Sequence, residues 1–218
     1  MAILTLIMGD SGTGKSTSIR TLDSKETVII NVLNKPLPFK GYKNNYKNGI
    51  KDGGNYFSTD NADHIILSLK YISENRPEIK NIIIDDFQYI MANEYMRRAK
   101  ERGYDKFTDI ACNAWKVIKE SSELRDDLFV FVLTHTETDQ FGKVRSKTIG
   151  KMIDSTIVFE GMFVCVLHST VTDNNYEFLT QNNGNYIAKS PMGMFSMLSI
   201  PNDLQSIKEK MIKYSEND

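Results

Sequence analysis

The sequence predicts an α/β fold, a mostly parallel central sheet flanked by helices, and three observations predict it. Five short apolar runs recur along the chain: "ILTLIM" (3–8), "TVIINVL" (27–33), "NIIIDD" (81–86), "LFVFVLTH" (128–135) and "IVFEGMFVCVLH" (157–168). They are continuous and rich in Ile, Val and Phe, as strands buried on both faces are. Segments with apolar residues three and four apart alternate with them: "KSTSIRTL" (15–22), "ADHIILSLKYISEN" (62–75), "YIMANEYMRRAKER" (89–102) and "FTDIACNAWKVIKESSEL" (107–124). Such alternation implies βαβ crossovers. The third observation is the glycine loop "GDSGTGKST" (9–17), set between the first apolar run and the first helical segment.

At 218 residues the chain has the length of one α/β domain with a substantial core, so residues 1–218 are read as a single domain. A composition of 40% hydrophobic and 25% charged residues is that of a folded globular protein. The formal charge of -1 excludes a globally basic nucleic-acid binder but leaves room for a local basic strip. Cys112 and Cys165 have no CxxC or His/Cys neighbours, so they are expected to be buried free thiols in a reducing, cytoplasmic setting. The first apolar run is short and lacks a basic flank, which reads as a first strand and not a targeting signal. No run reaches the length of a bilayer span, and no membrane partner is expected.

Four segments complete the chain. Residues 34–59, rich in Asn, Lys, Gly and Tyr, are too long for a routine connection and read as a surface excursion. Residues 135–147, "HTETDQFGKVRSK", read as a polar loop after the fourth strand. Residues 166–191 read as a C-terminal β-meander, and "DLQSIKEKMIKYSEND" (203–218) as a closing amphipathic helix.

The glycine loop matches G-x-x-x-x-G-K-[ST] at Gly9, Gly14, Lys15 and Ser16. The stretch Gly9, Asp10, Ser11, Gly12, Thr13, Gly14, Lys15, Ser16 and Thr17 is expected to wrap backbone N–H groups around a triphosphate, helped by the positive end of the following helix. Lys15 would reach the β- and γ-phosphates, and the Ser16 hydroxyl would take a place on Mg²⁺. Such a site also needs a carboxylate at the end of a buried strand. Asp85 supplies it as the metal's partner, and Asp86 is the candidate general base. The alternative for this acidic pair is capping of a helix starting near Phe87. At the end of the fourth strand His135, beside Thr134, is the candidate γ-phosphate sensor, or else a simple strand-end cap.

Two clusters interleave basic and aromatic residues: Arg97, Arg98, Lys100 and Arg102 near Tyr104 and Phe107, and Lys143, Arg145 and Lys147 beside Phe141. That pattern suits a single nucleic-acid strand, with charges tracking the backbone and rings stacking on bases, although each cluster alone also reads as an ordinary solvated surface. A small-molecule kinase would instead need an arginine clamp and a late arginine-bearing lid; the sequence has one Arg-rich segment, "MRRAKERGYDKF" (96–107), and no such lid late in the chain.

The order "GDSGTGKST", "TVIINV", "NIIIDDFQYI", "FVFVLTH" and "SKTIGKMIDSTIVFEGMF" resembles phage-encoded RecA-like P-loop ATPases, including single-strand annealing recombinases. The resemblance implies a RecA-like core, ATP and Mg²⁺ as ligands, and single-stranded DNA as partner in annealing or recombination. It implies a homo-oligomer working in the cytoplasm of a bacterial host among phage or host replication and recombination proteins. A neighbouring subunit's cation, Arg145, Lys147 or Lys151, would complete the site. The family's glutamate after the second strand is missing from "INVLNKP", so hydrolysis would fall to Asp86 or Glu137. "IDDFQYI" also resembles the acidic motif of AAA+ helicase loaders and initiator accessories, which keeps that alternative open. So does a nucleotide-gated binding module without turnover.

Overall fold

The computed structural model describes residues 1–140, 142–149 and 157–216. Phe141 and Lys151 therefore lie outside the described residues, as does much of "SKTIGKMIDSTIVFEGMF". The strands are β1 (Ile3–Gly9), β2 (Thr27–Asn31), β3 (Tyr56–Phe57), β4 (Asn81–Asp85), β5 (Phe129–Thr138), β6 (Val144–Ser146), β7 (Cys165–Thr172), β8 (Asn175–Leu179) and β9 (Ser199–Pro201). The helices are α1 (Tyr42–Asn45), α2 (Ala62–Asn75), α3 (Gln88–Arg97), α4 (Asp105–Ser122) and α5 (Leu204–Glu216). One sheet runs β3-β2-β4-β5-β1-β7-β8-β9, with β6 paired to β5. The strands from β3 through β7 are parallel, while β8, β9 and β6 are antiparallel additions.

The uninterrupted apolar runs have two faces to fill. Leu6, Met8, Ile82, Ile84, Val130 and Val132 pack under α2, α3 and α4, against Ile65, Leu69, Ala111 and Val117. Their sequence neighbours Ile7, Ile83, Phe131 and Leu133 point the other way, onto Ile19 and the α5 residues Leu204, Ile207 and Met211. Alternation with a period of two therefore operates inside runs that look uniformly hydrophobic. It leaves the C-terminal ends of β1, β4 and β5 side by side at one edge of the sheet. In register, Gly9 faces His135 and Met8 faces Thr134 across the β1–β5 pair.

Four expectations change. The segment after the glycine loop is a six-residue 3-10 turn, Ser16–Thr21, instead of a longer helix. The hydroxyls of Ser18 and Thr21 donate to the carbonyls of Lys15 (2.5 Å) and Ser18 (3.0 Å) three residues back, which favours the tighter winding. The described residues of 135–147 form two paired strands, because β5 continues to Thr138 and pairs Thr136, Glu137 and Thr138 with Ser146, Arg145 and Val144. The fifth apolar run becomes a strand only at Cys165. Ahead of it, Phe159–Met162 is a 3-10 turn whose Glu160 carboxylate accepts from the Ser146 amide (2.8 Å) and hydroxyl (2.6 Å). Finally, the 34–59 excursion is anchored: Leu37, Tyr46 and Ile50 are buried and β3 extends the sheet edge.

The C-terminal meander is present, with its third strand later than expected. β7 and β8 meet at Asp173 and Asn174, whose φ values of 50° and 63° fit a two-residue hairpin turn, and β9 follows at Ser199–Pro201. Cys165 is buried, its thiol pushed up to about 12 by that burial, and Cys112 is half-buried; neither forms a disulfide. No helix among the described residues is long and apolar enough to cross a membrane.

Candidate phosphate-binding site

The glycine loop turns at the end of β1 and is tied to its surroundings by three side chains from distant strands. Thr136 at the end of β5 donates to Asp10 Oδ1 at 2.5 Å, and Ser169 of β7 donates to the Thr13 carbonyl at 2.5 Å. Buried Asn202, just past β9, donates to the Gly14 carbonyl at 3.3 Å and accepts from Arg20 at 3.2 Å. Two glycines are required here. A Cβ on Gly9 would stand 2.7 Å from the Ser169 carbonyl oxygen, and Gly14 combines a φ of 90° with a Tyr176 ring carbon 2.7 Å from where its Cβ would be.

Lys15 is buried, and its ammonium donates to the Gly9 carbonyl at 2.7 Å and to that of Asp10 at 2.8 Å. Burial pulls its pKa down to about 8 against the opposing pull of Asp86 and Asp85. The Ser16 hydroxyl donates to Asp85 Oδ1 at 2.9 Å. Asp85 ends β4, is 1% exposed, and has its pKa raised to about 6 by burial and then by the Asp86 charge. Its second oxygen, Oδ2, is buried with no hydrogen-bond partner. A hydroxyl beside a carboxylate whose second oxygen is buried and unpaired, at the foot of the glycine loop, fits a hard divalent cation, which would keep its other positions for water and other oxygen ligands. No cluster of three or more His, Cys, Asp or Glu side chains suited to a metal occurs among the described residues, and a site of this composition does not require one.

Asp86 lies just beyond β4 with φ 63°, a left-handed conformation that Asp tolerates better than most residues. It does not cap α3, whose N-cap is Phe87 without a side-chain cap. Its carboxylate instead meets Lys35 Nζ at 2.5 Å and His135 Nε2 at 3.6 Å. Burial alone would raise its pKa, but the neighbouring His135 and Lys35 side chains hold it below the ordinary carboxylate range. His135 is positioned from behind: Gln88 Oε1 accepts from the His135 amide and from the Thr134 hydroxyl, both at 3.1 Å. Lys15, Ser16, Lys35, Asp86, His135 and Tyr176 together line a cleft of about 320 Å³.

Lys35 is the residue that sequence reasoning missed. Asn31 ends β2 in register with Asp85, and its amide donates to the Lys35 carbonyl at 2.8 Å, turning the chain so that the lysine reaches the acid pair. The signal was its place just after the strand that pairs with the acidic strand. Glu137, the other substitute acid, pairs with Arg145 at 3.2 Å on the β5–β6 hairpin and does not line the cleft.

The proposed strand-binding residues divide. Arg97 pairs with Asp60 at 2.6 Å, and Arg98 is held by Glu94, Glu101 and Asp109. Much of the charge on that helix end is thus neutralised locally. Lys100 and Arg102 are exposed beside it, and Lys143 and Lys147 are exposed on the hairpin that also holds Arg145.

His168 of β7, which the sequence did not single out, is buried against Tyr186 with ring centroids 4.3 Å apart, and burial holds its pKa down to about 4. The unfolded chain then binds a proton in the range from about 6.5 to about 4 that the folded chain does not. Folding stability is therefore expected to fall as pH drops through that window, and part of the loss should disappear in His168→Gln. Urea midpoints of both proteins at pH 7 and pH 5 measure it; equal pH sensitivity in the two would remove His168 as a source.

No known family's sequence profile matches the chain, and no curated protein sequence does.

Proposed function

We propose that this chain is a RecA-like P-loop ATPase that binds ATP with Mg²⁺ and acts on single-stranded DNA in annealing or recombination. The observation that carries the nucleotide reading is the 2.9 Å hydrogen bond from Ser16 to Asp85, which joins the end of the glycine loop to a carboxylate two strands away. The placement of β5 between β1 and β4 supports the RecA-like assignment, since that group carries a strand between the phosphate-loop strand and the acidic strand. On this reading Lys15 turns from the Gly9 and Asp10 carbonyls to the β- and γ-phosphates. Ser16 and Asp85 hold Mg²⁺, which would neutralise phosphate charge. His135 stands at the γ-phosphate end, and Tyr176 lies at the opposite side of the loop, beside Gly14. Assembly into homo-oligomers, with Lys147 or Lys151 completing a neighbour's site, belongs to the same reading.

A second reading, a nucleotide-gated binding module with slow or no turnover, is favoured by one observation. Asp86 is engaged by Lys35 and His135, and no acid stands in "INVLNKP", the stretch where RecA relatives carry a glutamate. Phosphate release with and without oligo-dT separates the two. The ATPase reading expects Mg²⁺-dependent release that rises severalfold with oligo-dT; ATP binding without release would select the gated module.

A further inference from the structure

Neither of the clusters that the sequence nominated carries as large an excess of positive charge as residues 34–59. Residues 34–59 carry five lysines against one carboxylate, Asp52, in a chain whose formal charge is -1. By comparison, residues 94–109 set five cations against four acids and residues 135–147 set three against two. Among the described residues none of Lys40, Lys43, Lys47 or Lys51 takes part in an ion pair, and all four are exposed.

The same segment folds around a pocket of about 360 Å³, walled by the rings of Tyr42, Tyr46 and Tyr56 and rimmed by Lys35, Lys43 and Lys47. Its lining contains no carboxylate, and Asn34 and Asn48 add amide groups able to pair with base edges. Tyr46 is buried and Phe39 packs edge-on against Tyr42 and Tyr46 at 6.2 and 6.3 Å, so the walls are held in place; Tyr42 and Tyr56 stay half-exposed. Lys35 and Pro36 line both this pocket and the phosphate cleft.

We propose that this pocket docks a single-stranded nucleic acid, with bases against Tyr42 and Tyr56, phosphates on Lys43 and Lys47, and Lys35 linking the strand to the nucleotide cleft. Paired bases cannot reach rings recessed in a concave pocket, whereas unstacked bases can, and lysines at the rim meet the backbone that follows them. Lys35 gives the link a physical form. It is 42% exposed and bonded to Asp86 at 2.5 Å. A strand phosphate that draws Lys35 away frees Asp86, and a γ-phosphate that draws Lys35 inward frees the pocket rim. The inference rests on the reading above for its partner, and it moves the principal contact from the two nominated clusters to residues 34–59.

The test uses the full chain, fluorescein-labelled oligo-dT and a second oligonucleotide carrying 5-iodouracil, which photo-crosslinks to adjacent aromatic rings. Lys43→Ala/Lys47→Ala is expected to weaken oligo-dT binding about tenfold and to flatten the salt dependence of log K by about 1.4, at about 0.7 per phosphate contact. Lys100→Ala/Arg102→Ala is expected to change both by less than half as much. Crosslinks should map to Tyr42 or Tyr56, and affinity of the double variant for a fluorescent ATP analogue should be unchanged. Parental affinity and salt slope in Lys43→Ala/Lys47→Ala would overturn the inference while leaving the ATPase reading intact. So would dTMP displacing the oligonucleotide as effectively as oligo-dT does, which would mark a small-molecule acceptor pocket. A parent protein that binds no oligo-dT would overturn both the pocket and the DNA part of the proposed function, leaving ATP binding to be judged by the analogue.

Discussion

Lys15→Ala is expected to lower affinity for Mg²⁺-ATP by about 100-fold, corresponding to about 3 kcal/mol, while leaving the fold intact. The size follows from where the ammonium sits. It is buried, its charge is satisfied by two loop carbonyls, and a triphosphate in the cleft would draw an already desolvated cation from those carbonyls. A charge-assisted bond in such a place is stronger than the same bond in water. The loop does not depend on Lys15 for its shape, because Thr136, Ser169 and Asn202 hold it from β5, β7 and the segment after β9. Calorimetric titration gives the affinity and a thermal melt the fold. A variant that binds ATP as tightly as the parent would show that the phosphates lie elsewhere.

Phe131→Ala is expected to destabilise the protein by about 3 to 5 kcal/mol, the cost of removing a large ring from a closed core. Phe131 is 0% exposed and sits mid-strand in β5, between Thr5 of β1 and Ile83 of β4. The same strand carries His135 to the cleft and Thr136 to Asp10 of the loop, so slack around residue 131 should reach the site as weaker ATP binding as well. Leu67 on α2 is 64% exposed and supplies the control, with Leu67→Ala expected within about 0.5 kcal/mol of the parent. Urea unfolding monitored by circular dichroism measures all three proteins. A loss below about 1 kcal/mol for Phe131→Ala would mean that the two-faced packing of β5 is wrong.

The parts of the fold legible in the sequence were those governed by local pattern. Helix α2 occupies the segment its periodicity marks, and the apolar runs at 3–8, 27–33, 81–86 and 128–135 mark the four neighbouring strands β1, β2, β4 and β5, with β1 and β5 running on past their ends to Gly9 and Thr138. The fifth run is a strand only from Cys165, because "IVFEGMF" is apolar for a different reason. Phe159 and Phe163 fill the core beside Phe87 with the chain in a tight turn around Glu160, and composition does not distinguish such a turn from a strand. The β5–β6 hairpin was hidden because its cross-strand pairs are polar, among them Glu137 with Arg145, and carry no hydrophobic alternation.

The site divides in the same way. The glycine loop and the acid at the strand end form a contiguous motif and a strand terminus, and both were visible. Lys35, Ser169, Asn202 and Tyr176 reach the loop, and Gln88 reaches Thr134 and His135, only through tertiary structure, and of these only Lys35 is marked in the sequence, by its place just after the strand that pairs with the acidic one. Lys35 changes the chemistry most. It gives Asp86 a partner, so the same acid that sequence alone would make a free general base is here held by two cationic or protonatable neighbours.

The measurement that tests the account most directly is a calorimetric titration of ATP into the parent protein and into Lys15→Ala, each with and without Mg²⁺. The account predicts one site per chain in the parent, binding that strengthens at least about tenfold on adding Mg²⁺, and near-complete loss in Lys15→Ala. Binding that ignores Mg²⁺ and survives the loss of Lys15 would contradict it.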